Sequence, residues 1–365
     1  MKILLPFQDP YNRPLSHKVV SGGTEQFMKS IKDNFDTVVY QVPIEQVDWP
    51  QKEKVEIAQN IINLAEAYKV DAIVSNFAQA VYNSKTLIKS KIPIMFIEHC
   101  IYPIPNVLHR WNEGIDKGHS MFLVSKWQEK KYREMAERTN QRVLPISGYL
   151  NPSYCKVKRK VVDNPEYDCG TIGRCDSGKN PFKLKDMTKK SDVKGLVITS
   201  KTQSEEDLNY YNRHTKLKSR EQGPGFWYSK DKKFKSKGRV FWNLPYPEVI
   251  ENISNCKTYF STWDKETWGI TSMEALSCGV PVILNSDKDG DHASDIIPAD
   301  KSHYVKIPYN DKEELIKAIK SFENVDRKAI KEATWEKHNL KTWKKDFENC
   351  IDMTVDNFKK RNKNG

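Results

Sequence analysis

At 365 residues the chain is too long for one ordinary hydrophobic core and suits two domains. Its 38% hydrophobic and 11% aromatic content excludes a disordered chain, and no apolar run is long enough to span a bilayer. The net charge of +12 calls for a polyanionic partner, nucleic acid or an acidic membrane face, or else is only a lysine-rich solvated surface.

From the start, buried-strand patterns alternate with helical ones. "KILLP", "TVVYQV", "DAIVSNF", "PIMFIEHC" and "SMFLVS" read as strands. Between them, "TEQFMKSIKDNF" and "EKVEIAQNIINLAEAYK" repeat apolar residues at spacings of three and four. Such alternation predicts a parallel sheet covered on both faces. Pro6 and early polar residues break the N-terminal apolar run too soon for a signal peptide, so a cytoplasmic location is expected. The seven scattered cysteines, without a CxxC, read as reduced thiols.

Residues 150–166 turn polar, basic and proline-bearing and are read as a linker. The alternation resumes with "DCGTIGR", "GLVITS", "RVFWNL", "TYFSTW" and "VPVIL". The expected class is α/β with two Rossmann-like, doubly wound domains facing across a cleft: residues 1–155, then 156–339. The tail from 326 onward reads as one or two amphipathic helices. Ligands of such sheets lie outside the carboxyl ends of strands.

"ETWGITSMEALSCGVPVIL" places Glu266 in a loop and Glu274 in the first turn of a short helix capped by Thr271 or Ser272. Acidic residues there suit the helix dipole and need mean nothing more. Alternatively, both accept hydrogen bonds from the vicinal hydroxyls of a sugar. "GTIGRCDSGKN" sets Arg174 and Lys179 just past a strand, where two cations could neutralise a diphosphate. "VVSGGTEQF" sets Gly22 and Gly23 before the first helix, where backbone can approach an anion. Hydroxyl acceptors and diphosphate donors in one cleft fit a sugar nucleotide.

These stretches resemble the retaining family-four glycosyltransferases of GT-B fold. The shared features are two glutamates enclosing seven residues, an aromatic-Gly pair, Ala275, and the Gly279-x-Pro281 strand entry. "IGRCDSGKN" is similar to the family's Arg and Lys pair, "GGTE" to its glycine-rich loop, and "EHCIYPIP" to the segment whose histidine, here His99, lies by the donor sugar, a buried core histidine being the competing reading. The Trp335 and Trp343 region resembles the helix, here 340–365, that crosses back to the first domain. The resemblance implies that Glu274 holds ribose hydroxyls and Glu266 a sugar hydroxyl. It implies backbone support at Trp268, Gly269, Ile270 and Thr271, diphosphate contacts from Arg174 and Lys179, and Gly22 and Gly23 closing beside it. The base would lie near Leu244, where Asn243-Leu244 replaces the family's usual glycine and leaves uracil less firmly specified. A UDP-sugar donor follows, without a prosthetic group or required metal. The Asp289-Gly290-Asp291 pair could hold a divalent ion in another fold but reads first as a turn.

Residues 209–237 interleave Arg213, Lys216, Lys218, Arg220, Lys232, Lys233 and Lys235 with aromatics including Trp227. Cations to follow a phosphate backbone, with rings to stack on bases, suit DNA, although a surface loop has the same composition. The expected acceptor is DNA carrying a hydroxylated base such as 5-hydroxymethylcytosine, a modification that bacteriophages place on their own genomes. The alternative is an envelope glycosyltransferase building lipopolysaccharide or capsule at a membrane surface. Against it, the N-terminal helical stretch carries Glu53, Glu56 and Glu66 beside its lysines.

Overall fold

The computed structural model describes residues 1–7, 23–42, 55–76, 85–99, 112–142, 145–174, 179–200, 225–228, 237–242, 244–263, 268–286 and 301–363. It divides into two compact units, Met1–Tyr154 with Leu340–Gly365, and Cys155–Asn339.

The first unit contains β1 (Lys2–Phe7), α1 (Gly23–Asn34), β2 (Asp36–Gln41), α2 (Val55–Ala67), β3 (Ala72–Asn76), α3 (Lys85–Ile88), β4 (Ile94–Glu98), β5 (Ser120–Leu123), α4 (Lys126–Arg138) and β6 (Gly148–Tyr149). Its sheet runs β2-β1-β3-β4-β5-β6, every pair parallel. Successive residues of a strand face opposite sides, so Leu4 joins one core with Ile57 and Ile61 of α2. Ile3, Leu5 and Phe7 join the other, with Phe27 of α1. Apolar runs buried on both faces are what a covered parallel sheet requires.

The second unit contains β7 (Tyr167–Arg174), α5 (Lys183–Thr188), β8 (Gly195–Ser200), β9 (Gly225–Tyr228), β10 (Lys237–Trp242), α6 (Tyr246–Ser254), β11 (Cys256–Ser261), α7 (Ile270–Ser277), β12 (Val282–Ser286), β13 (Tyr304–Pro308), α8 (Lys312–Ser321) and α9 (Arg327–Lys337). The order is β13-β12-β11-β7-β8-β10-β9. All pairs are parallel except edge strand β9, antiparallel to β10. The chain steps from β7 outward to β8 and β10, then returns to lay β11 on the other flank of β7. Winding therefore reverses between β7 and β11, where sheets of this kind leave a crevice for ligands.

The tail forms two helices, α9 and then α10 (Leu340–Lys363), which lie in different units. Trp335 of α9 donates its indole N–H to Ser277 O at 2.9 Å, inside the second unit. Trp343 of α10, 1% exposed, donates to Asn151 O at 2.9 Å. With Phe347, Cys350 and Ile351 it forms a helical stripe on the first unit's Phe27 and Phe122. Asp326 caps α9, accepting from Lys328 N at 3.0 Å and Ala329 N at 3.1 Å. Asp326→Ala should lower the unfolding free energy by about 1 kcal/mol, read from the urea midpoint at constant slope. Among the described residues no helix is long and apolar enough to cross a membrane.

Candidate functional site

Arg174 ends β7 and is exposed. Lys179 lies against the same strand end, since a Cβ on Gly173 would sit 3.2 Å from Lys179 Cβ. On the neighbouring strand, Thr262 follows β11 and its hydroxyl donates to Lys179 O at 2.7 Å. Lys179 Nζ lies 3.7 Å from the ring centroid of Trp263. Trp263 was not among the residues singled out in the sequence. Its signal was position alone, an aromatic directly after "TYFST" at the reversal point.

Helix α7 also leaves the carboxyl end of β11. Its N-cap is Gly269, with φ 60° and ψ 57°, and not Thr271 or Ser272 as the sequence suggested. The left-handed backbone, open to glycine, turns the chain into the helix two residues early. Gly269 O accepts from Ser272 N at 2.9 Å and Met273 N at 3.2 Å, while the Thr271 hydroxyl accepts from Tyr259 at 2.6 Å. No side chain caps the helix, so its N-terminal end offers N–H groups and dipole to an anion. Ile270 and Thr271 occupy that first turn.

Glu274 consequently falls in the second turn and not the first, which removes the simple dipole reading. It is 8% exposed. Burial pushes its pKa up to about 7, against the pull of a hydrogen bond from the Tyr246 hydroxyl and the positive charge of Lys156. The Tyr246 phenol is itself raised by burial and by the carboxylate. Neither Tyr246 nor Lys156 was expected here, although Tyr246 lies in the quoted "FWNLPYPEV". Leu244, half-buried, precedes α6 by two residues. Trp268 is 3% exposed, edge-on to His338 at 5.9 Å, and its indole nitrogen has no partner among the described residues.

In the first unit Gly23 opens α1. His99 follows β4, with its ring 5.3 Å from Phe27 of that helix. Burial pushes its pKa down to about 3, so the imidazole is neutral at physiological pH. Glu266, Gly22, Arg213, Lys216, Lys218, Arg220, Lys232, Lys233, Lys235 and the Asp289-Gly290-Asp291 turn lie outside the described residues. Trp227 sits in β9, its backbone opposite Gly238, so part of 209–237 is an edge strand and not a loop. Among the described residues no group of three or more His, Cys, Asp and Glu could hold a metal ion. Cys155, Cys169, Cys256, Cys278 and Cys350 are buried thiols, all held protonated by burial.

The structure thus gathers Arg174, Lys179, Gly269, Ile270 and Thr271 at the carboxyl ends of β7 and β11, with Glu274 one turn further along α7. Residues 228–337 match the family model described as "Glycosyl transferases group 1". No curated protein matches the chain by sequence. Among solved structures, HepE from Anabaena, in complex with UDP, aligns with TM-score 0.67 at 12% identity over 96% of this chain and 100% of its own. A glycosyltransferase from Rickettsia africae aligns with 0.66 at 14% identity over 96% and 98%. Sucrose-phosphate synthase from Thermosynechococcus elongatus aligns with 0.65 at 12% over 95% and 97%. Residues 228–337 thus match a glycosyltransferase family model, and the two-unit α/β architecture is a GT-B type fold shared with these solved structures.

Proposed function

We propose that this enzyme transfers a sugar from a UDP-sugar to a hydroxylated base in DNA, with retention at the anomeric carbon. The observation that supports the donor half is two cations and an uncapped helix start at the carboxyl ends of β7 and β11, with a buried carboxylate one turn along that helix. Arg174, Lys179 and the first turn of α7 supply positive charge to a diphosphate, most usefully as that group departs. Glu274 accepts the paired hydroxyls of the ribose. Glu266 positions a hydroxyl of the transferred sugar, Trp268 and Gly269 line its approach, and Leu244 borders the base. In the first unit, Gly22 and Gly23 suit close approach of a ligand, and a neutral His99 suits hydrogen bonding to a hydroxyl.

In the reaction the bond from the anomeric carbon to the diphosphate oxygen breaks as the bond to the acceptor oxygen forms. The acceptor proton passes to the departing diphosphate on the same face. HepE, of similar fold, is solved with UDP and with UDP and glucose, which supports a uridine nucleotide as donor here. The acceptor half rests on the +12 charge and the basic, aromatic composition of 209–237. The reading is of a cytoplasmic enzyme that needs no metal.

Incubation with radiolabelled UDP-sugars and either hydroxymethylated or plain DNA, followed by nucleoside mass analysis, tests both halves. Label on hydroxymethylated DNA alone is the expected result. Sugar hydrolysis without transfer to either DNA would remove the acceptor proposal, and no turnover of any UDP-sugar would remove the donor.

A further inference from the structure

We infer that Trp263 is a positioning residue, holding the Lys179 ammonium on its indole face where a diphosphate can take it up. The inference rests on the donor reading above. A lysine carries its charge on four flexible carbons, and fixing it in one place costs rotamer entropy. Here the ammonium lies 3.7 Å from the centroid of the Trp263 ring. The electron-rich face attracts the cation and narrows the range of positions its ammonium takes up.

The backbone next to the ring is held by a framework spanning three strand ends. The Thr262 hydroxyl donates to Lys179 O at 2.7 Å, fixing the lysine backbone to the residue before the tryptophan. Thr262 O accepts from Asn285 Nδ2 at 2.9 Å, and Asn285 is fully buried in β12. Asn285 Oδ1 accepts from Asn310 N at 3.0 Å, beyond β13. Backbone and ring therefore hold both ends of the lysine, and the position is set before any ligand arrives. Preorganisation of this kind is realised as affinity.

Calorimetric titration of wild type, Trp263→Leu and Trp263→Phe with UDP, uridine and inorganic pyrophosphate tests the inference. Trp263→Leu should weaken UDP and pyrophosphate by about tenfold, while uridine, which has no phosphates, binds as before. Trp263→Phe keeps a ring face and should stay within about threefold of wild type. UDP affinity unchanged or improved by Trp263→Leu would overturn the inference and leave the donor reading intact. A loss shared equally by uridine would also overturn it, because the effect would be on the fold of the site. Pyrophosphate binding that depends on the ring, in a protein that ignores UDP, would keep the Trp263–Lys179 pair and overturn the donor reading.

Discussion

Glu274→Gln should make the protein both more stable and a poorer binder of UDP above pH 7. The carboxyl is buried, with its pKa near 7 in the folded chain against 4.5 for an exposed glutamate. Burial is the chief cause, and the Tyr246 hydroxyl and Lys156 offset only part of it. With the folded value above the unfolded one, the unfolded chain ionises first as pH rises. Stability is then lost between about pH 4.5 and 7, and the full deficit, about 3 kcal/mol, stands above pH 7. The amide carries no charge to desolvate, so Glu274→Gln should recover about 1–3 kcal/mol at pH 8 and nothing at pH 4. Urea denaturation at the two pH values reads this directly, and equal effects at both would refute it.

The same substitution should weaken UDP by about ten- to a hundredfold, because hydrogen bonds to a charged acceptor exceed those to a neutral one. In wild type, ribose hydroxyls would stabilise the ionised carboxylate, so binding near pH 6.5 should release a proton. Calorimetry in buffers of different ionisation enthalpy would detect that release, and Glu274→Gln should abolish it. A site that retains an unfavourable buried charge until its ligand arrives exchanges stability for function.

Gly279→Ala should cost about 3 kcal/mol. Gly279 has φ +76°, a conformation that costs an L-residue about 1–2 kcal/mol. A Cβ there would also lie 2.3 Å from Arg327 O and 3.1 Å from its carbonyl carbon, both backbone atoms that cannot rotate away. Arg327 is the residue least able to yield. Its guanidinium donates to Gly279 O at 2.9 Å, Val162 O at 2.9 Å and Ser254 O at 3.0 Å, joining three segments of the unit. The urea midpoint should fall at constant slope, and a midpoint within error of wild type would show that the turn relaxes at little cost.

The alternating β-branched runs made most of both sheets legible, because a strand buried on two faces has few other readings. Three strands escaped, the two-residue β6 (Gly148–Tyr149) among them because it is too short to show a pattern. "YVKIP" of β13 is only partly buried along its length, so its apolar pattern is diluted by Lys306. "GFWY" of β9 lies in a basic stretch, where aromatic residues suit base stacking as well as an edge strand. The start of α7 was misplaced because Thr271 and Ser272 are good caps by chemistry, whereas left-handed Gly269 is a better one by geometry. Moving the helix start moved Glu274 from a solvated first turn into the interior.

Arg174 and Lys179 could be found from chain position, since strand ends are visible in sequence. Trp263 could not. The adjacent Thr262 meets Lys179 across 83 positions, and only the order β11-β7 brings those strand ends together. Lys156 was hidden for a related reason: it belongs to the stretch read as a linker, yet its charge reaches Glu274.

The placement of α10 on the first unit bears on how the chain is born. Met1–Tyr154 leaves the ribosome long before Trp343, Phe347 and Ile351 exist to cover Phe27 and Phe122. During translation that aromatic surface must wait, uncovered, while the entire Cys155–Asn339 unit is synthesised. Nascent chains halted before Leu340 should therefore lean on chaperones or clump, whereas those halted inside α10, past Ile351, should begin to resist protease.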